Sequence, residues 1–153
     1  MTVHAVLVTS IDAPTEVVFD LAVDIDLHLR SMAHSSERAI GGVTSGRIGL
    51  GETVTWRARH FGVPFTMTSR ITELERPGRF VDEQVRGPFR RFRHEHRFLA
   101  TERGTELIDV IDFDAPMGPI GWVAERVLLE RYLLELIELR NRHLAAEATD
   151  ITA

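Results

Sequence analysis

Residues 118–147 constrain the fold most, because they read as one long helix with more apolar surface than a lone helix can hide. The approach Pro116-Met117-Gly118-Pro119-Ile120-Gly121 fits a turn leading into a helix start, and beyond it neither Pro nor Gly occurs. At 100° per residue, Arg131, Glu135, Glu138 and Arg142 fall on one narrow stripe. Leu129, Leu133, Leu136, Ile137 and Leu144 lie opposite. Val127, Leu128, Tyr132, Leu134 and Leu139 widen the apolar arc further. A helix of roughly 25 residues spans about 37 Å. That much apolar surface needs a large partner, and the chain before it reads as a sheet.

A chain of 153 residues is expected to form one domain with a sizeable core. With 44% hydrophobic and 27% charged residues it has the composition of a folded protein, not of a disordered one. Glu and Arg interrupt the C-terminal helix on every turn, so no transmembrane segment is expected. The first residues lack the basic and apolar regions of a signal peptide. Cysteine is absent, which removes disulfides, thiol catalysis and thiolate metal sites. These features point to the cytoplasm. A net charge of −5 argues against a nucleic-acid partner. The basic run Arg86, Arg90, Arg91, Arg93 and Arg97, with Phe89, Phe92 and Phe98 interleaved, is the exception. It reads better as a hairpin loop followed by a solvated strand face.

Val3 to Ile11 is expected as a first strand. Asp12-Ala13-Pro14-Thr15-Glu16 looks like a helix start, and residues 24–30 read as a second short helix or turn. A short polar strand is expected over 35–40, then a glycine-rich loop over 41–51. From Glu52 onward, alternation marks a run of antiparallel strands with one polar face, broken at 61–64, 76–79, 87–88 and 102–104. Strands followed by a helix give an α+β class. The predicted architecture is a curved antiparallel sheet of six or seven strands wrapped around the long C-terminal helix, with two short helices after the first strand.

The strand Phe92-Arg93-His94-Glu95-His96-Arg97-Phe98 is the most informative. Arg93, Glu95 and Arg97 share an outer face, while Phe92, His94, His96 and Phe98 share the inner one. Polar groups facing a core need partners. Asp109 is the odd polar member of the row Leu107, Asp109, Ile111, Phe113, and Gln84 shares a face with Phe80 and Asp82. The same parity sends Gln84, His94, His96 and Asp109 into the space between sheet and helix, with Glu52 positioned to join them. Three readings stay open: a buried hydrogen-bonded network, the polar end of a ligand cavity, or general acid–base catalysis by a His–Asp pair. A His-x-His metal site would need a third ligand such as Asp109 or Glu52, and none is assigned. No nucleophile, phosphate-loop or dinucleotide signature occurs, and no cofactor is called for.

Taken together, Ile11-Asp12-Ala13-Pro14 with Val17 and Phe19, Gly87-Pro88-Phe89 with Phe92, His94, His96 and Phe98, and Gly104-Thr105 with Asp109, Phe113, Pro116, Gly118 and Gly121 carry a family resemblance. The chain resembles the START / polyketide cyclase-like helix-grip superfamily (SRPBCC), in its bacterial cyclase/dehydrase-like subgroup, over residues 1–146. The resemblance implies a helix-grip fold with an internal cavity for an apolar small molecule (lipid, polyketide or aromatic) and carries no universal catalytic set. Residues 147–153 fall outside it and are expected to form a disordered tail. Trp56, Phe65, Met67, Phe92, Phe98, Leu129, Tyr132, Leu133 and Leu136 are expected to line the cavity, with Gln84, His94, His96 and Asp109 as polar anchors. The alternatives are a cyclase or dehydratase using a histidine as acid/base, and a partner protein whose cavity is filled by side chains. Homodimerisation is left open.

Overall fold

The computed structural model describes residues 2–60, 62–115 and 122–153, the side chains of 122–125 excepted. The chain runs β1 (Val3–Ile11), α1 (Thr15–Ala22), α2 (Ile25–Ser31), a 3-10 turn (Ala33–Ser35), then β2 (Arg38–Gly42), β3 (Thr53–His60) and β4 (Val63–Glu75). It continues through β5 (Arg79–Arg86), β6 (Arg91–Thr101) and β7 (Gly104–Asp114) to α3 (Trp122–Thr152). The strands form one antiparallel sheet in the order β1-β7-β6-β5-β4-β3-β2. The two short helices carry the chain from one edge of the sheet to the other, so that the first strand pairs with the last. The turn expected at 116–121 lies outside the described residues.

Local chemistry accounts for the element ends. Pro14 caps α1, where its missing N–H costs nothing. The Asp24 carboxylate accepts from the Leu27 N–H at 3.1 Å and opens α2. Gly104 sits at φ +143°, and a Cβ there would stand 2.3 Å from the Ile11 carbonyl oxygen, so only glycine lets β7 start against the end of β1. The short strand begins at Arg38 rather than Ser35 and takes in Gly41 and Gly42, because Ser35 closes the 3-10 turn by donating to the Met32 carbonyl at 2.8 Å.

The core divides along α3. At one end Phe19 of α1 meets Phe80 and Phe98 edge-on, with ring centroids 5.6 and 5.2 Å apart, and Leu107, Leu144 and Ala148 close around them. At the other, Ile137 joins Val3, Ile111 and Phe113. The expected disordered tail is helix: α3 continues to Thr152, Ala148 is fully buried, and Arg30 grips Glu147 at 2.9 Å. Nothing after Gly121 breaks a helix, and Ala148 extends the Leu144 stripe by one turn. The apolar arc of α3 is also narrower than its sequence suggests. Val127 and Leu128 are 53% and 63% exposed, and Leu139 is exposed as well. Among the described residues no helix is long and apolar enough to cross a membrane.

On the outer face of β6, Glu95 gathers Arg93, Arg97 and, from β5, Arg79. Burial pushes its carboxyl up, but hydrogen bonds from Arg97, Arg79 and Arg93 outweigh this and hold its pKa at about 2.

Candidate ligand-binding site

Between the sheet and α3 lies a cavity of about 390 Å³. Its walls are apolar side chains from β3, β4, β6, α2 and α3, within the size range of small-molecule sites. Trp56, Phe65, Met67, Phe92, Leu129, Tyr132, Leu133 and Leu136 all line it, as do His94 and His96. The interior is open, which removes the reading in which side chains fill it.

Three of the expected site residues stand elsewhere. Phe98 is one turn of the pleat too deep and belongs to the aromatic group around Phe19. Gln84 is held by the β5–β6 turn: its Nε2 donates to the Phe89 carbonyl at 2.8 Å and its Oε1 accepts from the Phe89 N–H at 3.2 Å. The β-bulge after it, where Thr68 and Ser69 face Arg86 and Gln84, shifts Arg86 but leaves Gln84 opposite the cavity-lining Ser69, so its two bonds to Phe89 and not its parity take it out of the site. Asp109 lies behind the wall, fully buried, and supports the histidines from beneath. Glu52 does not join the site, since its Oε1 accepts from the Gly49 N–H at 2.7 Å.

The polar end is built on β5, β6, β7 and α3. His94 Nε2 donates to Asp109 Oδ1 at 2.6 Å, and His96 Nε2 to Asp82 Oδ2 at 2.7 Å. The two imidazoles stack at 3.8 Å, and His96 also stacks on Phe80 at 4.0 Å. Arg140 Nη2 donates to Asp109 Oδ1 at 2.9 Å and to Asn141 Oδ1 at 2.8 Å. Asn141 Nδ2 donates to Asp109 Oδ2 at 2.7 Å and to Thr9 Oγ1 at 3.0 Å. Burial raises the Asp109 carboxyl, but the Arg140 charge and the two histidine contacts pull it well below the usual range. Burial lowers His94, the neighbouring His96 lowers it further, and the Asp109 hydrogen bond restores only part, leaving a pKa of about 4. His94 is therefore a neutral imidazole at pH 7, protonated on Nε2, with Nδ1 as a hydrogen-bond acceptor. The donor atoms of Asp82, His94 and His96 lie within 4.8 Å of one another, and these are the residues that would hold a metal ion. The carboxylate completing that set is Asp82, not Asp109 or Glu52.

A second polar group lies where α3 faces β3. His60 Nδ1 and the Tyr132 hydroxyl are 2.6 Å apart and tie the sheet to the helix. Burial lowers His60 and raises Tyr132, so both are neutral near pH 7. His28 packs on Trp56 with the ring centroids 4.3 Å apart and the planes tilted by 32°, and meets Glu37 at 2.7 Å; His28, Glu37 and His60 line the cavity beside Trp56 and Tyr132. Arg140, Asn141, His60 and His28 were not anticipated as site residues. The signal for Arg140 was present: it stands four residues from both Leu136 and Leu144, in the middle of the apolar stripe.

The chain matches the family model described as polyketide cyclase / dehydrase and lipid transport over residues 2–149. No protein with a curated description matches it. Among solved structures, TTHA0849 from Thermus thermophilus is 21% identical with a TM-score of 0.78, each chain covered over 100% of its length. The Zhui aromatase/cyclase from Streptomyces sp. R1128 is 17% identical with a TM-score of 0.80, covering 100% of this chain and 97% of that one. Ginseng major latex-like protein 151 from Panax ginseng is 13% identical with a TM-score of 0.66, covering 96% of this chain and 97% of that one. At these identities the structures establish a shared helix-grip fold. The family model spans nearly the whole chain, including every residue of the cavity and its polar end, and the protein belongs to the polyketide cyclase / dehydrase and lipid transport family, within the SRPBCC superfamily.

Proposed function

We propose that this protein binds a hydrophobic or aromatic small molecule in the cavity between the sheet and α3, acting in the cytoplasm. The observation that carries the reading is the cavity itself: about 390 Å³, walled by Trp56, Phe65, Met67, Phe92 and leucines of α3, with its polar groups gathered at a few points. Apolar walls supply most of the affinity and the few polar groups orient the ligand. Neutral His94, steadied by Asp109, is suited to receive a hydroxyl hydrogen of the ligand on Nδ1. The test is native mass spectrometry of the purified protein, beside a variant in which Leu133→Trp fills the cavity. A ligand mass present in the wild type and absent from the variant is the expected result. Loss of the idea would follow from a bare wild type that also fails to take up apolar fluorescent probes.

The His94–Asp109 pair favours a second reading within the same family: a cyclase or dehydratase acting on a poly-β-ketone-like substrate, with His94 taking and returning a proton. His94→Gln separates the two. An enzyme loses turnover while the variant still binds; a binding protein shows only a change in affinity and no turnover in either form.

A further inference from the structure

The protein has no lysine, and all 18 of its Lys/Arg positions are arginine. Many of these are committed: Arg30, Arg47, Arg76, Arg79, Arg93, Arg97, Arg140 and Arg142 each pair with a carboxylate. Six others collect on one part of the surface without an ion pair among the described residues: Arg38, Arg57, Arg59, Arg86, Arg90 and Arg91, all exposed.

Strand register shows how they meet. Arg38 of β2 stands directly opposite Arg57 of β3, which faces Thr66 of β4. In the next row Thr55 faces Thr68, their hydroxyls 2.9 Å apart, and Thr68 faces Arg86 across the β-bulge. Arg59 lies at the β3–β4 tip opposite Pro64, and Arg90 and Arg91 form the β5–β6 tip. Antiparallel order puts both tips at the same end of the sheet. Across β2 to β5 no carboxylate enters these rows before Glu83, one row further on and opposite Arg70, while at the β5–β6 tip Asp114 stands opposite Arg91 without forming an ion pair with it. Like charges set directly across a strand pair destabilise it, so the Arg38–Arg57 pair is not explained by stability. A protein of net charge −5 that concentrates unpaired arginines in this way presents a local site for anions.

Two exposed apolar side chains stand among the cations at this end: Val63 is 51% exposed and Val85 is 52% exposed. His60, Phe65 and Phe89 of the cavity wall lie at the same end. Guanidinium groups bind phosphate oxygens in forked pairs, and threonine hydroxyls donate to the same oxygens. The valines gain from the apolar boundary beneath lipid headgroups, whereas a nucleic-acid backbone offers them only water. Among the described residues the rows also lack an exposed aromatic on which bases would stack.

We propose that this arginine face docks the protein on an anionic lipid bilayer, with the two valine-bearing tips meeting the headgroup layer and the cavity end held against the membrane. The docking stands whether or not the cavity is loaded. The test is flotation with phosphatidylcholine vesicles, with and without phosphatidylglycerol, for the wild type and for Arg38→Gln/Arg57→Gln/Arg59→Gln. Wild type is expected to bind only the vesicles containing phosphatidylglycerol, and less at high salt. Each arginine near a charged surface strengthens binding roughly fivefold, so the triple variant loses on the order of a hundredfold. Its thermal midpoint stays equal or rises, because the Arg38–Arg57 repulsion is gone, and its ligand mass in native spectrometry is unchanged. Equal binding to both vesicle types overturns the proposal, as does a triple variant that floats like wild type. Tighter binding to duplex DNA than to the vesicles at the same salt overturns it as well.

Discussion

Strand β6 carries two charged clusters back to back, and they solve opposite problems. On its outer face one carboxylate, Glu95, is held by Arg79, Arg93 and Arg97, whose side chains reach water. On its inner face His94 and His96 meet two carboxylates, Asp109 and Asp82, with Arg140 as the balancing cation. The outer cluster is rich in positive charge and open to screening. The inner one is shut between the sheet and α3, where each group depends on its partner. Alternation along a single strand separates them by one residue. What differs is the company each carboxylate keeps: Glu95 is itself buried but its arginines reach water, whereas Asp109 is buried together with its arginine and histidines.

The contrast is sharpest in what it costs to remove a carboxylate. Asp109→Ala leaves Arg140 buried and uncompensated, and is expected to cost about 3–5 kcal/mol in urea denaturation. Replacing both partners, Asp109→Leu with Arg140→Met, should recover most of that loss. Should Asp109→Ala cost no more than the outer substitutions below, the two clusters are equivalent and the contrast fails.

Acid separates the faces next. The folded pKa of His94 is depressed from 6.5 to about 4, so the unfolded chain takes its proton first as pH falls. Stability from this group is complete above 6.5 and is lost on acidification through 6.5 to about 4, by on the order of 3 kcal/mol. His94→Gln should flatten the curve in that window. Glu95 acts lower, between 4.5 and about 2, again losing stability as pH falls. A wild-type curve flat from 7 to 4 would show that His94 is not held neutral by its surroundings.

The outer substitutions are smaller. Glu95→Gln keeps the shape of the side chain and is expected to cost about 1–2 kcal/mol by thermal denaturation, since its hydrogen bonds run to charged donors. Arg97→Ala removes a half-exposed partner and should cost under about 1 kcal/mol, with the difference disappearing at high salt. Salt should leave the Asp109→Ala deficit unchanged.

Most of the sheet could be read along the chain, because strand alternation and turn residues act locally. The inward parity of His94, His96, Trp56, Phe65 and Met67 followed from period two alone. The places where this failed have specific causes. Gln84 keeps its inward parity, but the β5–β6 turn takes both ends of its amide through Phe89, a contact that leaves no mark in the hydrophobic pattern. Phe98 kept its parity but lies too far along the strand, under α1, since alternation says which face a residue takes and not how deep the cavity runs. Disorder is expected of residues 147–153 because they end the chain beyond the family resemblance, yet burial of Ala148 continues the helix.

The local pattern was enough to establish an α+β chain, a one-faced sheet, and a helix too apolar to do without it, since each follows from the spacing of side chains along one element. Folding decided which of those side chains meet. Arg140 reads as a misplaced charge in a leucine stripe until α3 is laid over β7, where it reaches Asp109 across 31 positions of sequence. Tyr132 finds His60 in the same way, across 72. Contacts at such separations depend on the rotation and tilt of a helix over a curved sheet, and these are set by the whole core at once. That packing places the polar end of the cavity and leaves six arginines on the outer face and strand tips without an ion pair among the described residues.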